Sequence, residues 1–168
     1  MSRSRAWPLL AVGMLAAGCT TMGSPEARTV TTPSTSAAEA AQRRGLAARY
    51  LAIATVGNRG LDALDALAGR DRDHLDAARA DLRDAAATER RFDRSLLAIV
   101  FPSEIEATGH ALVAVNESRA TLTSEAAAST SLAQLLRYER QLSAANGHVE
   151  QQVRTIRRQL GLPPPETS

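Results

Sequence analysis

The sequence predicts an all-α protein, an elongated antiparallel four-helix bundle that follows a disordered N-terminal linker. Three observations predict this fold class. Alanine, the strongest helix former, supplies much of the 44% apolar content, and aromatic residues make up only 3%. Two long segments repeat apolar residues at alternating steps of three and four, as amphipathic helices do. No βαβ pattern or hairpin turn signal competes with the helices.

The first 19 residues have the layout of a secretory signal. Arg3 and Arg5 form a basic start, an apolar stretch runs from Trp7 to Ala17, and Gly18 and Cys19 follow. Such a stretch is too short to span a bilayer comfortably. We therefore expect residues 1–18 to be a signal peptide that is removed from the mature chain.

The segment "LAAGC", which ends at the only cysteine of the chain, resembles a bacterial lipobox, the signal of prolipoproteins. The resemblance implies that the Cys19 thiol receives a diacylglyceryl group and that a dedicated peptidase cleaves between Gly18 and Cys19. Ala16 stands where leucine is frequent, and alanine is an accepted variant there. The alternatives are a plain secretory signal with an incidental cysteine, or a buried N-terminal helix.

The segment "TTMGSPEARTVTTPSTS" after Cys19 lacks any apolar period and is rich in Thr, Ser and Pro. Its composition predicts a flexible tether, so residues 19–36 are the lipidated cysteine and its linker. Residues 37–161 form the predicted bundle, and residues 162–168 a Pro-rich tail. The alternative for the linker is an ordered wrap along the bundle.

Helix one is predicted to open with a capping box formed by Ser36 and Glu39. The glycines of "VGNRG", residues 56–60, predict that this helix is kinked or split. Helix two is predicted over residues 71–100 and ends before Pro102. Its heptad seam is Leu75, Ala78, Leu82, Ala85, Glu89, Phe92, Leu96 and Ile99.

Helix three is predicted to start at Ser103, with Glu106 completing a second capping box. Helix four is predicted over residues 131–160, with Gly161 as its C-terminal cap and Leu162 packing back on the last turn. The inner face of helix three is Ile105, Leu112, Val115, Leu122 and Ala126. The seam of helix four is Leu132, Leu135, Glu139, Leu142, Asn146, Val149, Val153, Ile156 and Leu160.

Polar residues interrupt these seams and are the candidate site of the bundle. Buried polar groups can fix the register of a bundle, or they can line a ligand cavity. Arg119 and Arg137 are candidate partners for the glutamates. A partly exposed seam is the third interpretation. The polar seam residues are Glu89, Asn116, Glu139 and Asn146.

A metal site is the sharpest catalytic hypothesis, because His110 and His148 fall near the height of Glu89 in an antiparallel bundle. His148 lies on the flank of its seam, however, and His110 points mostly outward. The Glu-x-x-His pairs of di-iron bundles are missing from the sequence. No hydrolase, phosphate-loop or zinc signature is found either. We expect no enzyme activity, no metal and no cofactor.

The charge balance argues against a nucleic-acid partner. All basic residues are arginine, and once Arg3 and Arg5 leave with the signal, 18 arginines face 18 acidic residues. The charges alternate in sign, as in "GRDRDHLDAARADLRDAA", which is typical of a solvated helix face. We therefore expect no nucleic-acid binding, since that requires uncompensated positive charge.

The mature chain resembles helical lipoproteins of high-GC actinobacteria in the segments "DLRDAAATERRFDR" and "VRTIRRQLGLPPPETS". This resemblance implies no known activity or site residue. The expected function is that of a cell-envelope lipoprotein held by Cys19 on the extracytoplasmic side of the membrane. Its helical faces would bind a protein partner or a second copy of the chain. The alternatives are a ligand-binding or sensing bundle with a cavity at the polar seam, and an extended helical hairpin that dimerises.

Overall fold

The computed structural model describes residues 35–71 and 74–165, and these ranges hold four α-helices and no strand. Consecutive helices pack side by side, and the short connections at 98–102 and 127–131 make neighbours antiparallel. The predicted all-α bundle is confirmed. Cys19 and the signal segment lie outside the described residues. The helices are α1 (Thr35–Asp71), α2 (Leu75–Leu97), α3 (Ser103–Ala126) and α4 (Leu132–Gln159).

The helix α1 is continuous across residues 56–60, so the predicted alternative of two separate segments is not realised. Its glycines face α2 at short range. A Cβ atom added at Gly60 would lie 3.0 Å from Cγ2 of Thr88, and one at Gly57 would lie 3.5 Å from Cδ2 of Phe92. Gly60 therefore leaves room for the Thr88 side chain, whereas Gly57 has space for a methyl group. Packing against α2 outweighs the cost of glycine in a helix, about 1 kcal/mol per residue.

The starts of the helices follow the sequence signals in part. α3 begins at Ser103 as predicted, but its N-cap is Pro102 and no side chain caps it, so the predicted capping box at its start is wrong. α1 begins at Thr35, which places Ser36 inside the helix instead of before it. At α4, the Oγ of Ser131 accepts a hydrogen bond from the backbone N–H of Gln134 at 3.2 Å, which is a true N-cap.

The end of α4 is closed as the sequence predicts. Gly161 has a φ of 71°, a left-handed conformation that favours glycine. The N–H of Leu162 donates to the carbonyl of Arg157 at 2.8 Å, and the N–H of Gly161 donates to that of Arg158 at 3.1 Å, which together form a Schellman motif. Leu162 packs against the core, as predicted. The Nε of Arg157 donates to the carbonyl of Pro163 at 2.7 Å and fixes the start of the tail.

The large apolar side chains gather at one end of the bundle, where the α2–α3 connection meets the end of α4 and the middle of α1. We call this the aliphatic end. Leu112 and Ile156 are completely buried there, and burial raises the pKa of the Tyr50 phenol to about 12. Its members are Leu46, Ala47, Tyr50, Ala54, Leu96, Ile99, Ile105, Leu112, Val153, Ile156 and Leu160.

The opposite end, near the α3–α4 connection, buries small side chains, and we call it the alanine end. Leu142 is its one buried leucine among the described residues. The first turns of α4 are poorly covered, since Leu136 is 54% exposed. Small side chains allow close approach of the helices but remove little apolar surface from water. The buried residues of this end are Ala78, Ala86, Ala120, Thr123, Ala126, Ala127, Ser129 and Leu142.

Candidate functional site

Five polar side chains from three helices meet between the two ends, and we call them the polar layer. Each of them lies on a core-facing part of its helix. Glu89, Asp93 and Asn116 are only 3–4% exposed. The layer consists of Glu89 and Asp93 from α2, Asn116 and Arg119 from α3, and Asn146 from α4.

Arg119 is the centre of the polar layer. Its Nη2 lies 3.0 Å from Oε1 of Glu89, and its Nη1 donates to Oδ1 of Asn146 at 3.1 Å. One guanidinium therefore links α2, α3 and α4. The planar fork of arginine suits this role, because its donors point in fixed directions.

Asn116 joins the second carboxylate to the layer. Its Nδ2 donates to Oδ1 of Asp93 at 2.9 Å and to the backbone carbonyl of Glu89 at 3.3 Å. These two bonds fix the height of α3 against α2. A shift of one helical turn would separate the amide from both acceptors, so the polar layer specifies the register of the bundle.

Burial raises the pKa of both carboxyls in this layer. For Glu89 burial is the main cause, the Arg119 charge lowers the pKa again, and the neighbouring Asp93 raises it further. For Asp93 burial raises the pKa to about 6, and the hydrogen bond from Asn116 opposes this shift. Oε2 of Glu89, Oδ2 of Asp93 and Nε of Arg119 have no hydrogen-bond partner among the described residues. Asp93 can therefore hold a proton up to about pH 6.

The structure brings together three of the four predicted seam residues. Glu89 and Asn116 are buried, and Asn146 is half-buried beside Arg119, which was one of the two arginines considered as partners. Glu139 does not belong to the layer, because it lies on the exposed first half of α4, and Arg137 is exposed there as well. The predicted heptad seam is too long at the N-terminal end of α4, because the other helices do not cover that part of the helix.

Asp93 was not among the residues predicted from the sequence. It lies one place after the seam residue Phe92 and four places after Glu89, on the same side of α2. A strict heptad seam is narrower than the face that a bundle helix buries. A wider face would have included Asp93.

The outer side of α2 carries four arginines on a surface depression of about 370 Å³, which we call the arginine groove. These four arginines were not predicted to form a cluster, because acidic residues alternate with them along the sequence. Residues spaced by seven, eight and eleven positions share one helical face, and that spacing was the available signal. The groove is lined by Arg83, Arg90, Arg91 and Arg94 with Ala86 and Ala87 from α2 and Ser124 from α3.

A second depression, of about 190 Å³, lies at the α2–α3 connection. It adjoins exposed apolar side chains, since Val100 is 85% and Leu97 is 53% exposed. Neither depression is lined by the polar layer. The predicted cavity between the polar seam residues thus coincides with neither of these two openings.

The three histidines lie apart from the polar layer. All of them are exposed: His74 at the start of α2, His110 with Nε2 3.9 Å from Oε1 of Glu106, and His148 on α4. In the ranges that the structure describes, no three His, Cys, Asp or Glu side chains are grouped to hold a metal ion.

Gly18 and Cys19 precede the described residues, and their lipidation and cleavage remain predictions. None of the four described helices is both long enough and apolar enough to cross a membrane.

Comparison with protein-family models, with curated proteins and with solved structures gives no match. The resemblance to helical actinobacterial lipoproteins also remains a prediction.

Proposed function

We propose that this protein is a membrane-anchored lipoprotein of the cell envelope, and that its helical bundle is a non-enzymatic interaction or scaffold domain. The observation that carries the proposal is the segment "LAAGC" behind a basic start and a short apolar stretch. Attachment of a thioether-linked diacylglyceryl group to Cys19 would explain why a basic start, an apolar stretch and this cysteine occur in this order. The domain would lie on the extracytoplasmic side of the membrane.

The lipid anchor would hold the protein through several acyl chains. Each buried methylene contributes about 0.8 kcal/mol, and one acyl chain alone gives only marginal binding. Two or three chains on Cys19 make the attachment stable. Residues 20–34 separate this anchor from Thr35, the first residue of α1. A flexible segment of this length spans about 20 Å on average and about 50 Å when extended, so the bundle stands off the bilayer.

The interior of the bundle favours a scaffold over a ligand-binding module. Arg119 pairs with Glu89 and Asn116 bonds to Asp93 across the α2–α3 contact, which uses polar groups that a ligand would need. Such a layer specifies the register of the helices. On the outside, Leu97 and Val100 at the α2–α3 connection offer an apolar contact for a partner protein.

The anchor is tested by a Cys19→Ser variant expressed in a bacterium that processes lipoproteins. We expect the unchanged chain to be found in the membrane fraction with a mass increased by the lipid, and Cys19→Ser to lack the lipid mass. Ala16→Leu is the matched control, since it introduces the frequent lipobox residue and should keep the lipid. Absence of lipid on the unchanged chain, or lipid on Cys19→Ser, contradicts the proposal.

A further inference from the structure

We propose that the arginine groove binds an anion that carries at least two phosphate groups. The groove lies on the folded bundle, so this inference goes beyond the lipid anchor and does not depend on it. Three observations carry it: the arginines share one helical face, most of their charge is not neutralised by the described residues, and the groove between α2 and α3 is open.

The arginines form a continuous line. Arg83 and Arg94 are eleven residues apart on α2, which corresponds to about 16 Å along the helix, with Arg90 and Arg91 between them. Ala86 and Ala87 form a low floor between the long side chains. Such a line fits an extended anion with several charged groups better than a single small ion.

The positive charge of the groove is only partly compensated. Arg90 pairs with Glu117, with its Nε 3.1 Å from Oε1, and its Nη1 donates to Oγ of Ser124 at 3.1 Å. The guanidinium groups of Arg83, Arg91 and Arg94 make no hydrogen bond or ion pair with any described residue.

Among the described residues, no acidic side chain lines the groove, and the exposed Asp84 forms no ion pair with its neighbour Arg83. The side chains of Glu89 and Asp93 belong to the buried polar layer. Burial raises the pKa of both carboxyls, which disfavours their charged forms. Like charges one turn apart on a helix destabilise it, so a bound anion would relieve repulsion within the groove.

Phosphate chemistry matches these side chains. A guanidinium presents two parallel N–H groups to two oxygens of a phosphate, and such charge-assisted bonds are about twice as strong as neutral ones. The opening of about 370 Å³ is within the size range of small-molecule sites. The phosphate groups could belong to a soluble compound or to the headgroups of anionic lipids.

Calorimetric titration of the full chain in a neutral detergent with inorganic tripolyphosphate tests the inference. The Arg91→Gln/Arg94→Gln pair should weaken binding tenfold or more, because it removes two unpaired guanidinium groups. The Arg137→Gln/Arg140→Gln pair removes the same charge from exposed positions of α4, and should change binding less than twofold. Circular dichroism checks that both pairs keep the helical content and Tm of the unchanged chain.

Mixed micelles distinguish the two sources of phosphate. If lipid headgroups occupy the groove, micelles with phosphatidylglycerol weaken tripolyphosphate binding, and phosphatidylcholine micelles do not. If neither micelle competes, the groove selects soluble phosphate compounds, and both results support the inference. It is overturned if tripolyphosphate gives no binding at millimolar concentration, or if the two arginine pairs weaken binding equally. Neither result depends on whether Cys19 carries lipid.

Discussion

The two ends of the bundle are built from different side chains. At the aliphatic end, Leu112, Leu96 and Ile156 are almost completely removed from water. Full burial of such a side chain contributes about 1.5–3 kcal/mol. At the alanine end, Ala86 and Ala120 are equally buried but have only one methyl group each. The aliphatic end therefore supplies most of the hydrophobic stabilisation.

The two proposed attachments of this chain, the tether and the bound anion, lie at different ends of the bundle. Thr35 begins the helix that brings Leu46 and Tyr50 to the aliphatic end, so the proposed tether joins the molecule at its better-packed end. The arginine groove lies instead beside the polar layer and the alanine end. Between the ends, the polar layer fixes how the helices align.

Loss of the central arginine has the largest expected effect. Arg119→Met leaves the carboxylate of Glu89 buried without its ion pair, and we expect the free energy of unfolding to fall by about 3–5 kcal/mol. Urea denaturation at pH 7 measures it. The double variant Glu89→Gln/Arg119→Met removes the charge as well and should recover part of the loss. A single variant as stable as the double variant would show that the buried Glu89 carboxylate does not depend on its ion pair with Arg119.

Truncation of a core leucine tests the aliphatic end. Leu112→Ala should lower the free energy of unfolding by about 2–5 kcal/mol, because this side chain is completely buried and its removal leaves a cavity. Leu136→Ala makes the same chemical change on the exposed first half of α4, and should cost less than about 1 kcal/mol. Similar losses in both variants would remove the contrast between the ends.

The pH dependence of stability tests the polar layer. Because burial raises the pKa of Asp93 to about 6, against about 4 in the unfolded chain, the folded chain binds more protons between these values. The free energy of unfolding should therefore decrease as pH rises from 4 to 6. The raised pKa of Glu89 acts in the same direction.

Asp93→Asn keeps an acceptor for the Asn116 amide and removes the buried charge. We expect this variant to be more stable than the unchanged chain at pH 7 by about 1 kcal/mol, with a flatter pH profile. Asp62→Asn, an exposed change on α1, is the control and should leave the profile unaltered. Lower stability of Asp93→Asn at pH 7 would contradict the account.

The smallest expected effect concerns the cap of α4 at the alanine end. Ser131→Ala removes the hydrogen bond to the Gln134 N–H and should lower the free energy of unfolding by about 1 kcal/mol. Ser103→Ala is its matched control, since Ser103 makes no cap bond, and should change stability by only a few tenths. A larger loss at Ser103 would mean that the caps are assigned to the wrong serines.

Local signals in the sequence predicted the ends of the helices better than their starts or their covered faces. Gly161 and Pro102 mark true helix boundaries, because backbone conformation depends on the residue itself. The glycines of α1 do not split the helix, because packing against α2 compensates for their low helix propensity. Glu139 also shows that local pattern does not determine burial. It occupies a heptad seam position, but it is exposed because no neighbouring helix covers it.

The candidate site was predictable only in part for the same reason. Glu89, Asn116 and Asn146 were found because they interrupt apolar seams. Which of them pair, and that Asp93 joins them, depends on the relative height of α2 and α3. The arginine groove could have been predicted from the helical spacing of the arginines on α2 alone. The near-zero net charge of the mature chain obscured this local cluster.

Native-state hydrogen exchange along α4 tests the contrast most directly, because this one helix reaches from the alanine end to the aliphatic end. We predict that amides of residues 136–142 exchange through local opening, since few large side chains cover them. Amides of residues 150–156 should exchange only with an opening free energy close to that of global unfolding. Equal protection of the two segments, or stronger protection of residues 136–142, would contradict the account.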